Sequence, residues 1–340
     1  VVDDLKALRG YYEESSNLLI PLHFRAWFVP CLMWTGFISL LVLMMTCLNV
    51  VLRKQWIERE KLSYPIIQLP LEMIRHRDLS GLFGNRVLII GFLLAVGIDL
   101  LNGLGVFYPV IPQIPIRGYD LRQLLTEKPW SAVSWFPIRF YPFVIGLGFL
   151  IPLDLSFSCW SFYLIYKLQL IIGSAVGLRS LPRFPYGNEQ AVGAYIGLCV
   201  LALWGSRRHL WSIFRKVLVL SSPLDDTHEP IRYRTATLII IGVAVLLLFF
   251  CVKAGLTLWA SGIFLVSFFS ISIAITRMRA ELGTPVHDLW YAGASGPDTI
   301  MVNIFGTKGL GPANLTTISL FYGFNRDYRN HPQPHQLEGF

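Results

Sequence analysis

Three ionisable side chains interrupt long apolar runs, and they are where this sequence offers chemistry first. Asp99 lies inside the run 87–108, with Asn102 at i+3 on the same helical face and Gly103 and Gly105 close behind. A carboxylate at that depth costs about 3 kcal/mol on insertion scales, so it is expected to face protein or water rather than lipid. Two roles fit it. It is either a group that titrates a proton or binds a cation or solute, or a structural Asp bonded to a neighbouring helix.

Asp154 stands in Ile151-Pro152-Leu153-Asp154-Leu155-Ser156-Phe157-Ser158. Proline followed by Asp, Ser156 and Ser158 at alternating positions suits an unwound turn. The free backbone groups of such a turn can meet an ion or a polar solute, as broken helices do in secondary transporters. The same residues also suit a plain helix cap at the membrane interface. Lys167 sits deeper in the same apolar stretch. A lysine there either snorkels or pairs with a carboxylate, and Asp99 and Asp154 are the candidate partners.

Further along, Arg277, Glu281, His287 and Asp288 follow a clean apolar run. They suit the cytoplasmic mouth of a pathway, while Arg277 and Arg279 equally suit a positive-inside anchor. The segment His331-Pro332-Gln333-Pro334-His335 has metal-like content, but its prolines argue against the i,i+4 helical face that zinc helices use, and no metal is expected. No cofactor motif appears, and there is no Ser-His-Asp set, P-loop or dinucleotide glycine pattern, so an enzyme is not expected. Asn314-Leu315-Thr316 fits a glycosylation pattern that is common by chance. Gly173/Gly177 and Gly193/Gly197 suit close helix packing.

The elements that must position these residues are membrane helices. In 340 residues, apolar types make up 54% and charged types only 15%, against about 25% in soluble domains. Mean hydropathy is +0.54, and a soluble fold could not cover that much apolar side chain. The five cysteines all fall in or beside apolar runs without Cys-x-x-Cys spacing, as buried thiols do. The net charge of +8 is spread in short clusters between the runs rather than gathered in one arm, which argues against nucleic acid and for cytoplasmic loops.

A span needs about 20 apolar residues. Seven are expected, at about 26–52, 87–109, 136–153, 155–178, 191–206, 235–252 and 254–276, with the long run 140–178 broken at Pro152. The stretch 300–324 reads as a broken or re-entrant element, because Gly306, Gly309, Gly311 and Pro312 sit inside it. Loops 53–86, 207–234 and 277–290 then share one side with 15 Lys and Arg, against 9 in loops 1–25, 112–139 and 179–190. The excess makes 53–86 a cytoplasmic interfacial segment and 109–139 an external loop. The fold class is thus an all-α polytopic transmembrane bundle: one domain over 1–340, with membrane lipids as its surroundings. The chain opens on Val1 rather than Met and closes without a terminal span, as a piece of a longer polypeptide would.

Short motifs carry a resemblance. Glu60-Lys61-Leu62-Ser63-Tyr64-Pro65 resembles a segment of oligopeptide-transporter (OPT) proteins, and the glycine-rich run from Phe143 to Asp154 is similar to their span leading into a polar turn. Over roughly 20–340 the chain resembles a set of uncharacterised bacterial multi-spanning membrane proteins distantly similar to those transporters. The shared segments fall at 56–62, 151–158 and 277–283. The resemblance implies a bacterial inner-membrane transporter with inverted repeats and cation-coupled uptake of peptides or metal chelates. Such a transporter has more spans than this chain, so missing spans or another membrane subunit are the implied partners. A non-transport helical scaffold or accessory subunit is the main alternative, and a membrane enzyme on a lipid-linked substrate is a third.

Overall fold

The computed structural model describes residues 5–13, 17, 19–75, 84–116, 118–218, 225–227, 229–284, 296–325 and 331–340. In chain order the helices begin with α1 (Leu5–Tyr12), α2 (Pro21–Lys54), α3 (Pro65–Arg75) and α4 (Arg86–Phe107). Two short strands follow, β1 (Tyr119–Asp120) and β2 (Pro137–Ile138), paired antiparallel with Tyr119 opposite Ile138. Then come α5 (Pro142–Gly148), α6 (Leu153–Ala175), α7 (Gly187–Gly205) and α8 (Arg207–Leu218). The chain closes with α9 (Tyr233–Ala254), α10 (Leu258–Leu282), α11 (Pro297–Leu320), α12 (Tyr322–Asn325) and α13 (Pro332–Gly339).

Among the described residues, five helical stretches are long and apolar enough to cross a membrane: Pro21–Arg59, α4, α6, α9 and α10. The first, α2 with the π-helical turn Gln55–Arg59 added, runs 39 residues. At 1.5 Å per residue it is about 58 Å long, nearly twice a ~30 Å hydrocarbon core. One end or both therefore extend beyond the hydrocarbon. Proline begins it at Pro21, where a missing N–H costs nothing, and Pro30 removes one internal donor further on.

The chain divides into two compact units. The first comprises Val1–Glu60, Tyr195–Ala274 and Ser295–Phe340. Its core forms where α2 packs antiparallel on α9, with Cys47, Val50 and Val51 of α2 against Tyr233 and Ala236. Amphipathic α8 turns His209 and Ile213, one helical turn apart, into the same core. Toward the other end, Trp34 and Phe37 meet Phe250, Phe321 and Phe324 in an aromatic cluster with centroids 4.7–5.9 Å apart. Helix α9 ends in a Schellman motif: the Gly255 amide donates to Val252 O and the Leu256 amide to Cys251 O. That turn folds α10 straight back, as the lone Lys253 between two apolar runs predicts.

The second unit comprises Lys61–Ala194 and Ile275–Ala294. Its span-length helices are sparsely covered. Gly105 is the one buried residue of α4, and Lys167 and Gly173 are those of α6. Apolar side chains on these helices thus meet lipid or further protein.

Three expectations need correction. Among the described residues, the candidate spans number five rather than seven. The expected span 136–153 is absent, because Pro137, Pro142 and Pro152 break the hydrogen-bond ladder and leave only the seven-residue α5. At about 10 Å, that helix cannot cross the hydrocarbon. The expected span 191–206 is helical as α7, but its polar opening Gly187-Asn188-Glu189-Gln190 dilutes it, and it is not among the five. The stretch expected as an external loop, 109–139, holds the β1–β2 ladder and two 3-10 turns, Leu121–Leu124 and Trp130–Val133. The break at Pro152 itself is present: α6 begins at Leu153 with Pro152 as its N-cap.

Candidate functional site

The three intramembrane ionisable groups do not come together. Asp99 is exposed on α4, so the described residues do not supply the protein surface that was expected to face it. Asn102 does not extend a polar stripe for a solute. Its Nδ2 donates to Ile114 O at 3.0 Å and its Oδ1 accepts from the Ile114 amide at 2.7 Å. This reciprocal pair pins the following loop to the end of α4. Asp154 is exposed in the first turn of α6, where a negative charge complements the helix dipole. Ser158 Oγ donates to Asp154 O at 2.9 Å, and the Ser156 amide donates to Pro152 O, both local helix-start bonds.

Lys167 is buried, but neither expected carboxylate is its partner. Its Nζ donates to Val133 O at 3.2 Å and to Trp135 O at 2.6 Å. Three aromatic rings surround it, Phe136, Tyr163 and Tyr166, with centroids 5.3–5.9 Å away. Asp120 organises the same loop, accepting from the amides of Arg122 and Phe136 at 3.0 Å each. The Phe136 amide, opposed by partial burial and helped by the Arg122 amide, the Arg122 guanidinium and Lys167, holds Asp120 below the usual carboxylate range. Lysine here ties a loop to a helix. The sequence marks Lys167 but not Asp120, which reads as an ordinary loop acid.

Two of the motif segments behind the family resemblance meet within the second unit. The Tyr64 amide donates to Ala280 O at 2.9 Å, and Ser63 Oγ donates to Glu281 O at 2.9 Å. Gly283 follows with φ +63, and a Cβ there would lie 2.8 Å from Pro65 Cβ, so glycine is required twice over. Arg277 and Glu281 form an i,i+4 ion pair with each other, rather than standing apart at a mouth. His287 and Asp288 lie outside the described residues.

The first unit holds a buried polar chain that the apolar patterning hides. Asn49 of α2, Ser272 of α10, and His331 and Gln333 at the start of α13 are all at most 4% exposed. Asn49 Nδ2 donates to Gln333 O at 2.8 Å, and Gln333 Nε2 donates to Asn49 Oδ1 at 3.2 Å. Ser272 Oγ donates to Gln333 Oε1 and contacts His331 Nε2. With the serine proton directed at Gln333, the His331 contact is satisfied when Nε2 carries a proton. Three separate helices are thereby joined through polar atoms. A carboxamide in an uncharged run, as Asn49 is within 26–52, is the signal in sequence that could have found it.

A second polar cluster in that unit centres on α11. Gly306 (φ 69, ψ 165) and Gly311 (φ 73, ψ 167) adopt backbone that glycine alone tolerates, and they cut α11 into three pieces. The expected broken element is therefore present. Asn314 holds the last piece against the α9–α10 turn. Its Oδ1 accepts from the Thr257 amide at 2.8 Å, and its Nδ2 donates to Leu310 O at 2.7 Å. Thr317 Oγ1 reaches Ala254 O at 3.3 Å. At 4% exposure and fully engaged, Asn314 is not an accessible glycosylation acceptor in this fold.

On the polar side of α8, Asp226 pairs with Lys216 at 2.5 Å and accepts from the Tyr233 amide at 3.1 Å, capping α9. Burial works to raise its pKa, and these bonds outweigh it and bring the pKa below the ordinary value. Glu229 pairs with Arg53 at 3.3 Å, so the segment 225–232 shares a side with the end of α2, as the loop assignment requires. Among the described residues, no cluster of His, Cys, Asp or Glu could hold a metal ion.

No curated protein and no solved structure matches this chain. A family model matches residues 1–340, and the chain belongs to that family, a family of unknown function (DUF6785).

Proposed function

We propose that the chain is the membrane-embedded part of a cation-coupled secondary transporter of the bacterial inner membrane. Its cargo would be peptides or metal chelates, and its pathway would be completed by further helices. One observation carries this reading: α11 is discontinuous, with two glycine breaks flanking Thr307-Lys308-Gly309-Leu310. Breaks of that kind free backbone donors and acceptors for a polar solute, which continuous helices do not. The buried Asn49–Gln333–Ser272–His331 chain lies in the same unit and supplies side chains that can rearrange with it.

The test is reconstitution of the full chain in liposomes that enclose a pH-sensitive dye. External trialanine or a ferric chelate should acidify the lumen. Gly306→Ala with Gly311→Ala, which forces Cβ atoms into backbone that glycine alone tolerates, should abolish the signal in protein that still inserts. Inserted protein that gives no signal with either solute, whether the enclosed dye reports H+ or Na+, would refute the proposal.

The second reading is a non-transport scaffold or accessory subunit of a larger membrane complex. It is favoured by the scatter of Asp99, Asp154 and Lys167, which share no cavity. It expects a membrane partner that is lost on Asp99→Leu, with no solute-driven flux.

A further inference from the structure

At one end of the first unit, α1, α2, α9 and the end of α11 line an open groove of about 1440 Å³. Its walls include Leu8 of α1, Val29, Met33 and Ile38 of α2 and Phe249 and Phe250 of α9. Two bases, Arg25 and Lys253, line it, and among the described residues no acidic side chain does. Neither base has an ion-pair partner among the described residues; Lys253 lies over the Phe249 ring at 5.6 Å. Because α2 and α9 run antiparallel, with Trp34 against Phe250, both bases lie on the same side of that contact.

The dimensions fit one leaflet. From Arg25 to Ile38 the helix rises about 20 Å, and one leaflet contributes about 15 Å of hydrocarbon. The bases also stand where topology does not call for them. By the Lys and Arg asymmetry this is the base-poor side, so they are not part of the cytoplasmic anchor. An apolar trough of leaflet depth with two unneutralised cations toward its outer end complements an anionic head on acyl chains. A free phosphate would gain nothing from the walls, and a neutral lipid nothing from the bases.

We propose that this groove is a binding site for one phospholipid with an anionic headgroup of the phosphatidylglycerol type, its phosphate held by Arg25 and Lys253 and its acyl chain along Val29, Met33 and Ile38. The proposal does not depend on the transport reading.

Cys31 lines the groove and gives a readout in the unmodified chain. It is exposed, as is Cys159 on α6, while the other three thiols are buried. Delipidated full-length protein in detergent is labelled with a fluorescent maleimide while dioleoylphosphatidylglycerol or dioleoylphosphatidylcholine is added. Phosphatidylglycerol should slow labelling of Cys31 at least tenfold and leave Cys159 unchanged. Phosphatidylcholine should need about 30-fold more lipid for the same protection, the effect of two bases near an anionic head. Arg25→Gln or Lys253→Gln alone should reduce that preference to about fivefold, and the pair should remove it. Arg25→Lys should keep it. Equal protection by the two lipids in the unmodified protein, equal protection of Cys159, or a preference that survives either single Gln variant at full strength would each overturn the proposal. The unmodified protein decides the matter even if the double variant does not fold.

Discussion

Replacing Asn49 with Ala should destabilise the first unit by about 3 kcal/mol, although it removes only a small polar side chain from an apolar helix. Asn49 and Gln333 are both 0% exposed and exchange two hydrogen bonds. Truncation leaves the Gln333 carbonyl and its Nε2 without those partners in a site sealed from water. Each stranded group costs roughly 1–2 kcal/mol. Gln333→Ala strands Asn49 Oδ1 and the Ser272 hydroxyl and costs about 3 kcal/mol. Asn49 Oδ1 and Gln333 Nε2 are each stranded in one single variant, and neither exists in the double variant. The double should therefore cost less than the sum of the singles, by about 1.5 kcal/mol rather than the full stranding cost of both groups. Interhelical hydrogen bonds in membrane proteins reach about that value, because the unfolded chain also finds partners. Unfolding of all four proteins by SDS in mixed micelles, followed by tryptophan fluorescence, closes the cycle. Additivity to within about 0.5 kcal/mol would show that the two side chains do not act as a pair, and the buried chain would then be a row of independent contacts.

Lys167→Met should keep the volume of α6 while leaving the Val133 and Trp135 carbonyls without their donor, so hydrogen exchange across 130–138 should rise by an order of magnitude or more. Gly283→Ala forces a side chain into left-handed backbone at φ +63 and against Pro65, at about 1–2 kcal/mol from the backbone alone. The Tyr64 amide, which donates to Ala280 O, should then exchange faster, whereas Gly36→Ala, with open space at its Cβ, should leave it unchanged. His209 is held below its ordinary pKa, chiefly by burial, with its Nε2 3.1 Å from Val51 O partly opposing the shift. The unfolded chain therefore binds that proton more readily, and stability should fall as pH drops below about 6.5 toward the folded value. His209→Asn should flatten that limb of a pH–stability curve measured by thermal unfolding.

How much was legible depends on what each residue's partner was. Single-residue backbone events read well. Pro152 ends one element and begins α6, Lys253 marks the α9–α10 turn, and Gly306 and Gly311 break α11, because proline and glycine act through their own backbone. Pairings across the chain did not read. Lys167 was visible as a buried charge, but its partners are the carbonyls of Val133 and Trp135, and a backbone carbonyl has no letter in a sequence. Asn102 was visible as well, and its reciprocal bonds to Ile114 are again to main chain. The buried chain on Asn49 was missed for the complementary reason. Asn49 and Gln333 are 284 positions apart, and a proline-rich terminal segment gave no hint that it would fold as α13 and dock on α2.

Asp99 is the group that the described residues leave most in need of a partner. Its carboxylate was expected to face protein because lipid is a poor solvent for it, and that premise is independent of where α4 packs. The described chain leaves the carboxylate uncovered, on a helix whose one buried residue is Gly105. Either Asp99 stands in lipid at a cost of about 3 kcal/mol, or another surface covers it. Asn102, three residues on, is already committed to Ile114 and cannot offset that cost. The transporter and scaffold readings share this requirement for a covering surface and differ in what it does. In the first, the covering helices belong to the transporter itself; in the second, they belong to the assembly that the chain supports. Asp99→Leu separates lipid from protein at this face. In a helix meeting lipid it should raise the stability of the isolated chain by up to the insertion cost, and in a helix meeting a partner it should weaken co-purification of that partner while the isolated chain gains little.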